Sequence, residues 1–228
     1  MIISTSRPYF APYPGFFSRV HQSDIFVVLD SVQFPRGTTW ITRNRFKNDQ
    51  GPLWMTIPVW KKGLGLQNIN DVRICHDSHL QVKHLKSLKQ AYAAAPYFSE
   101  HRAFLNYIFS DRIERLIDLN LAILRHLLLH LDIDTEIRLL SELHIHARGQ
   151  MLLVEICRYF NASSYLAPGA AAGYLDVRTF EKAGLEMTLH KPRSSVYPQL
   201  WGNFLPDLSA FDLVFNCGPK AREILPAG

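Results

Sequence analysis

The run Phe26-Val27-Val28-Leu29 constrains this chain more than any other stretch. Four consecutive apolar residues leave no polar face, so a strand built from them must be covered on both sides, as the strands of parallel sheets are. It ends on Asp30, a carboxylate placed where such a strand would leave the sheet, and α/β sheets bind ligands beyond the carboxyl ends of their strands. Upstream, Ile2-Ile3-Ser4-Thr5 supplies a first strand. The loop Ser6–Gly15 is stiffened by three prolines, and Phe16–Gln22 reads as a short amphipathic helix. Together they form a β-loop-α-β unit that closes as a parallel pair.

The same rhythm returns late in the chain. Glu136–Leu143 reads as a strand, Gly149–Phe160 as a helix, Ser164–Leu166 as a strand, Thr179–Ala183 as a helix and Glu186–His190 as a strand, with Leu213-Val214-Phe215 as a last short apolar run. At least five parallel strands are therefore predicted, in a Rossmann-like three-layer α/β fold. Between the two halves lie a β-rich insertion at about 36–75 and a helical segment at about 79–131. In the insertion, strands Trp40–Phe46 and Leu53–Val59 flank the turn Asn48-Asp49-Gln50-Gly51, a hairpin signal, and Val72-Arg73-Ile74 is placed to extend that small sheet. The predicted helices are His79–Ala95, Pro96–Phe109 and Arg112–Leu131, the last capped by Asp111. At 228 residues, the whole reads as a single domain, 1–228.

A formal charge of +5 favours an anionic ligand, a membrane surface or nucleic acid as partner. No run of five Lys/Arg and no recognisable module occurs, so sequence-specific nucleic-acid binding is not expected. The densest basic region, Arg36, Arg43, Arg45, Lys47, Lys61 and Lys62, reads as a small-anion site or a mildly basic face. No apolar run reaches the ~18 residues of a membrane span, no secretory signal opens the chain, and Cys75, Cys157 and Cys217 form no disulfide framework. A cytoplasmic protein is expected. There is no G-x-S-x-G, P-loop or HExxH pattern. His126 and His130 stand at the i, i+4 spacing that can bind metal. With no acidic ligand beside them they read as solvated or capping residues, and no metal is expected. Two loops that follow strands are candidate ligand loops: Ala167–Asp176, with Gly169, Gly173, Tyr174 and Asp176, and Ser194–Gln199, with Tyr197.

Several blocks recur in one order that is specific when taken together: Pro8-Tyr9 with Gly15-Phe16-Phe17; Ser23–Phe34; Trp40 with Arg43-Asn44-Arg45; Lys83-His84; Ala95–Phe98; Tyr165-Leu166; Gly173–Asp176; and Asp212–Gly218. On these the chain resembles the WbqC-like protein family, found in bacterial O-antigen and surface-polysaccharide gene clusters. The resemblance implies a role in O-antigen production, with transfer of an aminoacyl or similar group to a sugar among the activities suggested for the family. The family pattern opens His-Gln-Pro in the first loop, where this chain has Ser6-Arg7-Pro8. If that His is catalytic the step is altered or lost here, and Arg7 is suited to hold an anion instead. The first β-loop-helix-β unit also looks like nucleotidylyltransferases of the HUP type, an analogy of fold alone.

The expected function is a transferase acting on a small anionic, nucleotide-linked sugar or acyl donor and moving an aminoacyl, acyl or nucleotidyl group. Asp30 would orient or deprotonate the acceptor, and His84, paired with Lys83, is the other proton-transfer candidate. Arg43 and Arg45 would bind phosphate or carboxylate, Asn44 and Gln33 would hydrogen-bond sugar hydroxyls, and Tyr9, Trp40 and Tyr174 would stack on a ring. A nucleotide or nucleotide-sugar is the expected cofactor-like ligand, with magnesium left open; no feature assigns an oligomeric state. The alternative is a non-catalytic binding protein on the same fold, favoured by Ser6 in the place of the family's His.

Overall fold

The computed structural model describes residues 1–77, 80–110 and 112–226. Its centre is a parallel sheet of five strands: β1 (Ile2–Ser6), β2 (Ile25–Val28), β5 (Glu136–Leu139), β6 (Ser164–Pro168) and β7 (Glu186–His190). The spatial order is β5-β2-β1-β6-β7. The chain starts in the middle, works outward through β2 to β5, then crosses back to β6 on the other side of β1. The register is set by pairs such as Ile3 with Ile25, Ile25 with Glu136, Ile3 with Tyr165, and Tyr165 with Met187. Strand order therefore reverses between β1 and β6.

Alternation along β2 explains why both faces are covered. Phe26 and Val28 point into one apolar core, with residues of α1 (Pro14–His21), α4 (Leu116–His130) and α7 (Ala210–Cys217). Ile25 and Val27 point into a second core with Ile3, α5 (Gly149–Tyr159) and Phe180 of α6 (Val177–Lys182). This is the three-layer α/β arrangement expected. The edge strand β5 is shorter than predicted, because Leu140–Glu142 turns into a single 3-10 turn.

The excursion between β2 and β5 packs on the first core. It contains the antiparallel hairpin β3 (Arg43–Asn48) and β4 (Gly51–Thr56), then α2 (Leu80–Tyr92), α3 (Phe98–Ile108) and α4. Gly51 closes the hairpin at φ +108, a conformation that other residues rarely adopt. The hairpin stays two-stranded. Val72–Ile74 does not join it as a strand but makes isolated bridges, Val59 with Ile74 and Arg73 with Arg115. The same contact delays α4: Ile74 N–H donates to the Glu114 carbonyl and Leu116 N–H to that of Val72, so the helix begins at Leu116 rather than Arg112. The predicted Asp111 cap and the His79 start of α2 lie outside the described residues. Leu213-Val214-Phe215 is helical, inside α7, and not a strand; a short buried apolar run does not reveal its period. Ser209 caps α7 by accepting from Phe211 N–H, and Gly218 ends it at φ +51, where an added Cβ would run into the Tyr97 ring. Among the described residues no helix is long and apolar enough to cross a membrane, and the three cysteines are free.

Candidate functional site

The gap left where strand order reverses is a cleft of about 1110 Å³ at the carboxyl ends of the strands. Its walls come from the loop after β1 (Ser6, Arg7, Tyr9), the loop after β2 (Ser31, Gln33), the turn leading to α5 (Ala147, Arg148, Gly149) and the segment after β6 (Pro168, Tyr174). Arg148 is the N-cap of α5, and Gly149 follows at φ +58. No acidic residue occupies the first turn of this helix, so its unpaired N–H groups and partial positive charge face the cleft uncompensated. Gln150 anchors the turn: its side chain accepts from Asp176 N–H at 3.0 Å and donates to Thr179 Oγ1 at 2.8 Å. Arg7 and Arg148 are exposed and make no ion pair or side-chain hydrogen bond among the described residues.

A third cation lies beneath the floor. Arg19 of α1 is buried, donates to Ser4 Oγ and to the Thr5 carbonyl (2.9 Å), and lies near the Phe16 and Phe26 rings. Burial lowers its pKa, and the polarity of the nearby tyrosines, Tyr165 first, offsets part of this. Above it, Thr5 and Tyr165 share a hydrogen bond of 2.9 Å, and burial pushes the Tyr165 phenol up to about 12. A buried guanidinium with no carboxylate partner among the described residues makes the cleft floor positive. Among the described residues, the cleft lining contains no aspartate, glutamate or histidine. Its polar groups are hydroxyls, amides and two guanidiniums, which suit an anion and ring-bearing groups.

The sequence profile of the WbqC-like protein family matches residues 7–224, which include nearly all of these elements. This chain belongs to that family. It is 29% identical, over 95% of its length and 94% of the relative's, to the uncharacterised protein Rv1507c of Mycobacterium tuberculosis. No solved structure matches it.

Of the candidate residues in this WbqC-like chain, Arg7, Tyr9, Gln33 and Tyr174 converge on the cleft. Asp30 and Arg43, both assigned above to the substrate site, have other partners. Asp30 is 2% exposed, and its two oxygens accept from Ser141 N–H (2.9 Å) and Ser141 Oγ–H (2.6 Å), so it ties the end of β2 to the turn after β5. On the hairpin, Arg43 lies 3.9 Å over the Trp54 ring, and Trp40 stacks on the same indole. Arg45 donates to the carbonyls of Pro206 and Asp207. Asn44 is buried and donates to the carbonyls of Phe10 and Ala11, shaping the first loop from behind. Lys83 is exposed on α2, while the His84 ring donates to the Thr56 carbonyl at 2.8 Å, and burial lowers its pKa despite that bond. Gly169 is needed for close packing, since a Cβ there would meet Lys191; no such contact explains Gly173. Asp176 caps α6 by accepting from Arg178 N–H. Tyr197 is buried and donates to Asp212, which also accepts from Tyr92. None of these outlying residues lines the cleft.

A second polar centre of the WbqC-like fold lies apart from the cleft. His126 and His130 are half-buried rather than solvated, and α3 brings His101 against them. His101 Nδ1 and His126 Nε2 are 2.8 Å apart. Burial, then the neighbouring histidines, push His101 down to about 4 and His126 down to about 3.

Proposed function

We propose that this protein binds a small anionic, nucleotide-linked sugar or acyl compound in the β1/β6 cleft and transfers an aminoacyl, acyl or nucleotidyl group in bacterial surface-polysaccharide synthesis, in the cytoplasm. The observation that carries the reading is the convergence of Arg7, Arg148 and the start of α5 over buried Arg19, at the point where parallel sheets hold phosphates. A diphosphate would lie between Arg7 and the α5 N-terminus, with Gln33 and Ser31 toward hydroxyls and the rings of Tyr9 and Tyr174 toward a base or sugar. We read the sheet as HUP-type on the same ground. Family membership supports the polysaccharide setting.

One observation favours the second reading, a binding protein without turnover. Ser6 stands in the place of the family's first-loop His, and among the described residues no carboxylate or imidazole lines the cleft to act as a general base. The test is a thermal-shift and calorimetry panel of nucleotides, nucleotide-sugars and acyl-CoA compounds, with and without magnesium. A nucleotide-sugar that binds wild type, fails with Arg148→Ala and is turned over supports the transferase. Binding without product, across a range of acceptors, supports the binding protein, and no binding by any anion rejects both.

A further inference from the structure

The histidines on α3 and α4 form a cluster that the cleft does not use. His126 and His130, one turn apart at the end of α4, present two imidazoles on one face. His101, in the first turns of α3, reaches the same point from the neighbouring helix. One ligating nitrogen from each lies within 4.8 Å of the other two. The rings are held in place. Phe104 stacks flat on His126 with centroids 3.7 Å apart, and Phe215 packs edge-on against His101, which is 1% exposed. Such packing fixes ring orientation, the condition a preformed ligand set needs.

We propose that His101, His126 and His130 bind a divalent transition-metal ion of the zinc class, with the fourth position open to water. Three imidazoles without a thiolate suit Zn²⁺, Co²⁺, Ni²⁺ or Cu²⁺ and disfavour Mg²⁺ and Ca²⁺, which take oxygen ligands. Tetrahedral zinc with Zn–N of about 2.05 Å sets neighbouring nitrogens about 3.3 Å apart. The present 2.8 Å between His101 and His126 therefore has to open by about half an ångström. His130 is at the carboxyl end of α4, where the helix dipole favours a cation. The bound ion would clamp the first turns of α3 to the last turn of α4.

The test uses chelator-treated full-length protein without an affinity tag, titrated with ZnCl₂, CoCl₂ and MgCl₂ at pH 7.5. The expected result is one zinc per chain, with a Kd of about 1 μM or tighter, a rise in Tm, no response to magnesium, and a visible Co²⁺ band of four- or five-coordinate type. His130→Asn and His126→Gln should each weaken zinc at least about tenfold. A double His144→Ala, His146→Ala variant controls for the His-x-His pair in the loop before α5 and should bind as wild type. Absence of zinc binding in wild type overturns the proposal. So does binding that survives His130→Asn but disappears with the His144, His146 double variant. If a cluster variant does not fold, the Co²⁺ spectrum of wild type decides: an octahedral aqua-like spectrum overturns the site.

Discussion

Two pairs of arginines in this molecule have opposite fates. Arg43 and Arg45 lie in the densest basic stretch of the sequence, yet one rests on an indole and the other on two backbone carbonyls. Arg7 and Arg148 are far apart in sequence, and each stands alone in its neighbourhood, but the fold brings them to one cleft and leaves both without a protein partner among the described residues. Charge density along a chain reports little about ligand binding. What counts is where the fold puts the group, packed on a ring or a carbonyl or set at the wall of a cleft.

The largest effect that would break this contrast is on ligand affinity. Arg7→Ala with Arg148→Ala should weaken a bound nucleotide-sugar by about 100-fold or more, two charge-assisted hydrogen bonds at about 1.5–3 kcal/mol each. Arg43→Ala with Arg45→Ala should leave affinity within about threefold. Calorimetry at fixed salt compares them, and equal losses would erase the distinction.

Asp30 offers the next test. Alanine there removes both hydrogen bonds to Ser141 and should cost about 3 kcal/mol of stability, at about 1.5 kcal/mol for each bond to a charged group, read by urea unfolding, while the folded fraction still binds ligand. Unchanged stability with lost turnover would return Asp30 to the reaction.

Gly218→Ala should be milder, at about 2 kcal/mol, because it adds a Cβ at φ +51 that would stand 2.5 Å from the Tyr97 ring. Ligand affinity should not move, since that contact is remote from the cleft lining.

The smallest effect concerns pH. His190, at the end of β7, bonds Ser18, and burial followed by the charge of Arg19 lowers its pKa to about 4. The ring is neutral in the folded protein, so the unfolded chain takes up the proton first as pH falls. Stability should be flat above pH 6.5 and decline from there toward about 4. His190→Asn should remove part of that slope in urea midpoints measured across the window; an identical slope would place its source elsewhere.

Much of the fold was legible because Phe26–Leu29 is apolar on both faces and the strand-helix alternation returns late in the chain, which together suit a covered parallel sheet. Strand order was not. Without knowing that β6 lies beside β1, the rule that ligands bind at strand ends pointed to Asp30 after β2 rather than to the β1/β6 gap. Arg148 had a readable signal, an Arg-Gly pair opening a predicted helix without early acidic residues, but nothing nearby drew attention to it. Arg19 had none, since a lone arginine in an amphipathic helix looks solvated until the sheet covers it. Asn44 failed for the reverse reason: an amide bonded to loop carbonyls and one free for a sugar are identical in sequence. His101 was missed because its partners are on another helix.

The long excursion between β2 and β5 also bears on how the molecule assembles. Pairing these strands closes a loop of residues 29–135, an entropic penalty of about 4 kcal/mol that scales with the logarithm of loop length. Local contacts in the hairpin and helices form without that penalty, so β5 should dock late, and with it the turn that carries Arg148. Refolding monitored at Arg148 should then lag behind helix formation, and a cleft ligand should act chiefly by slowing unfolding.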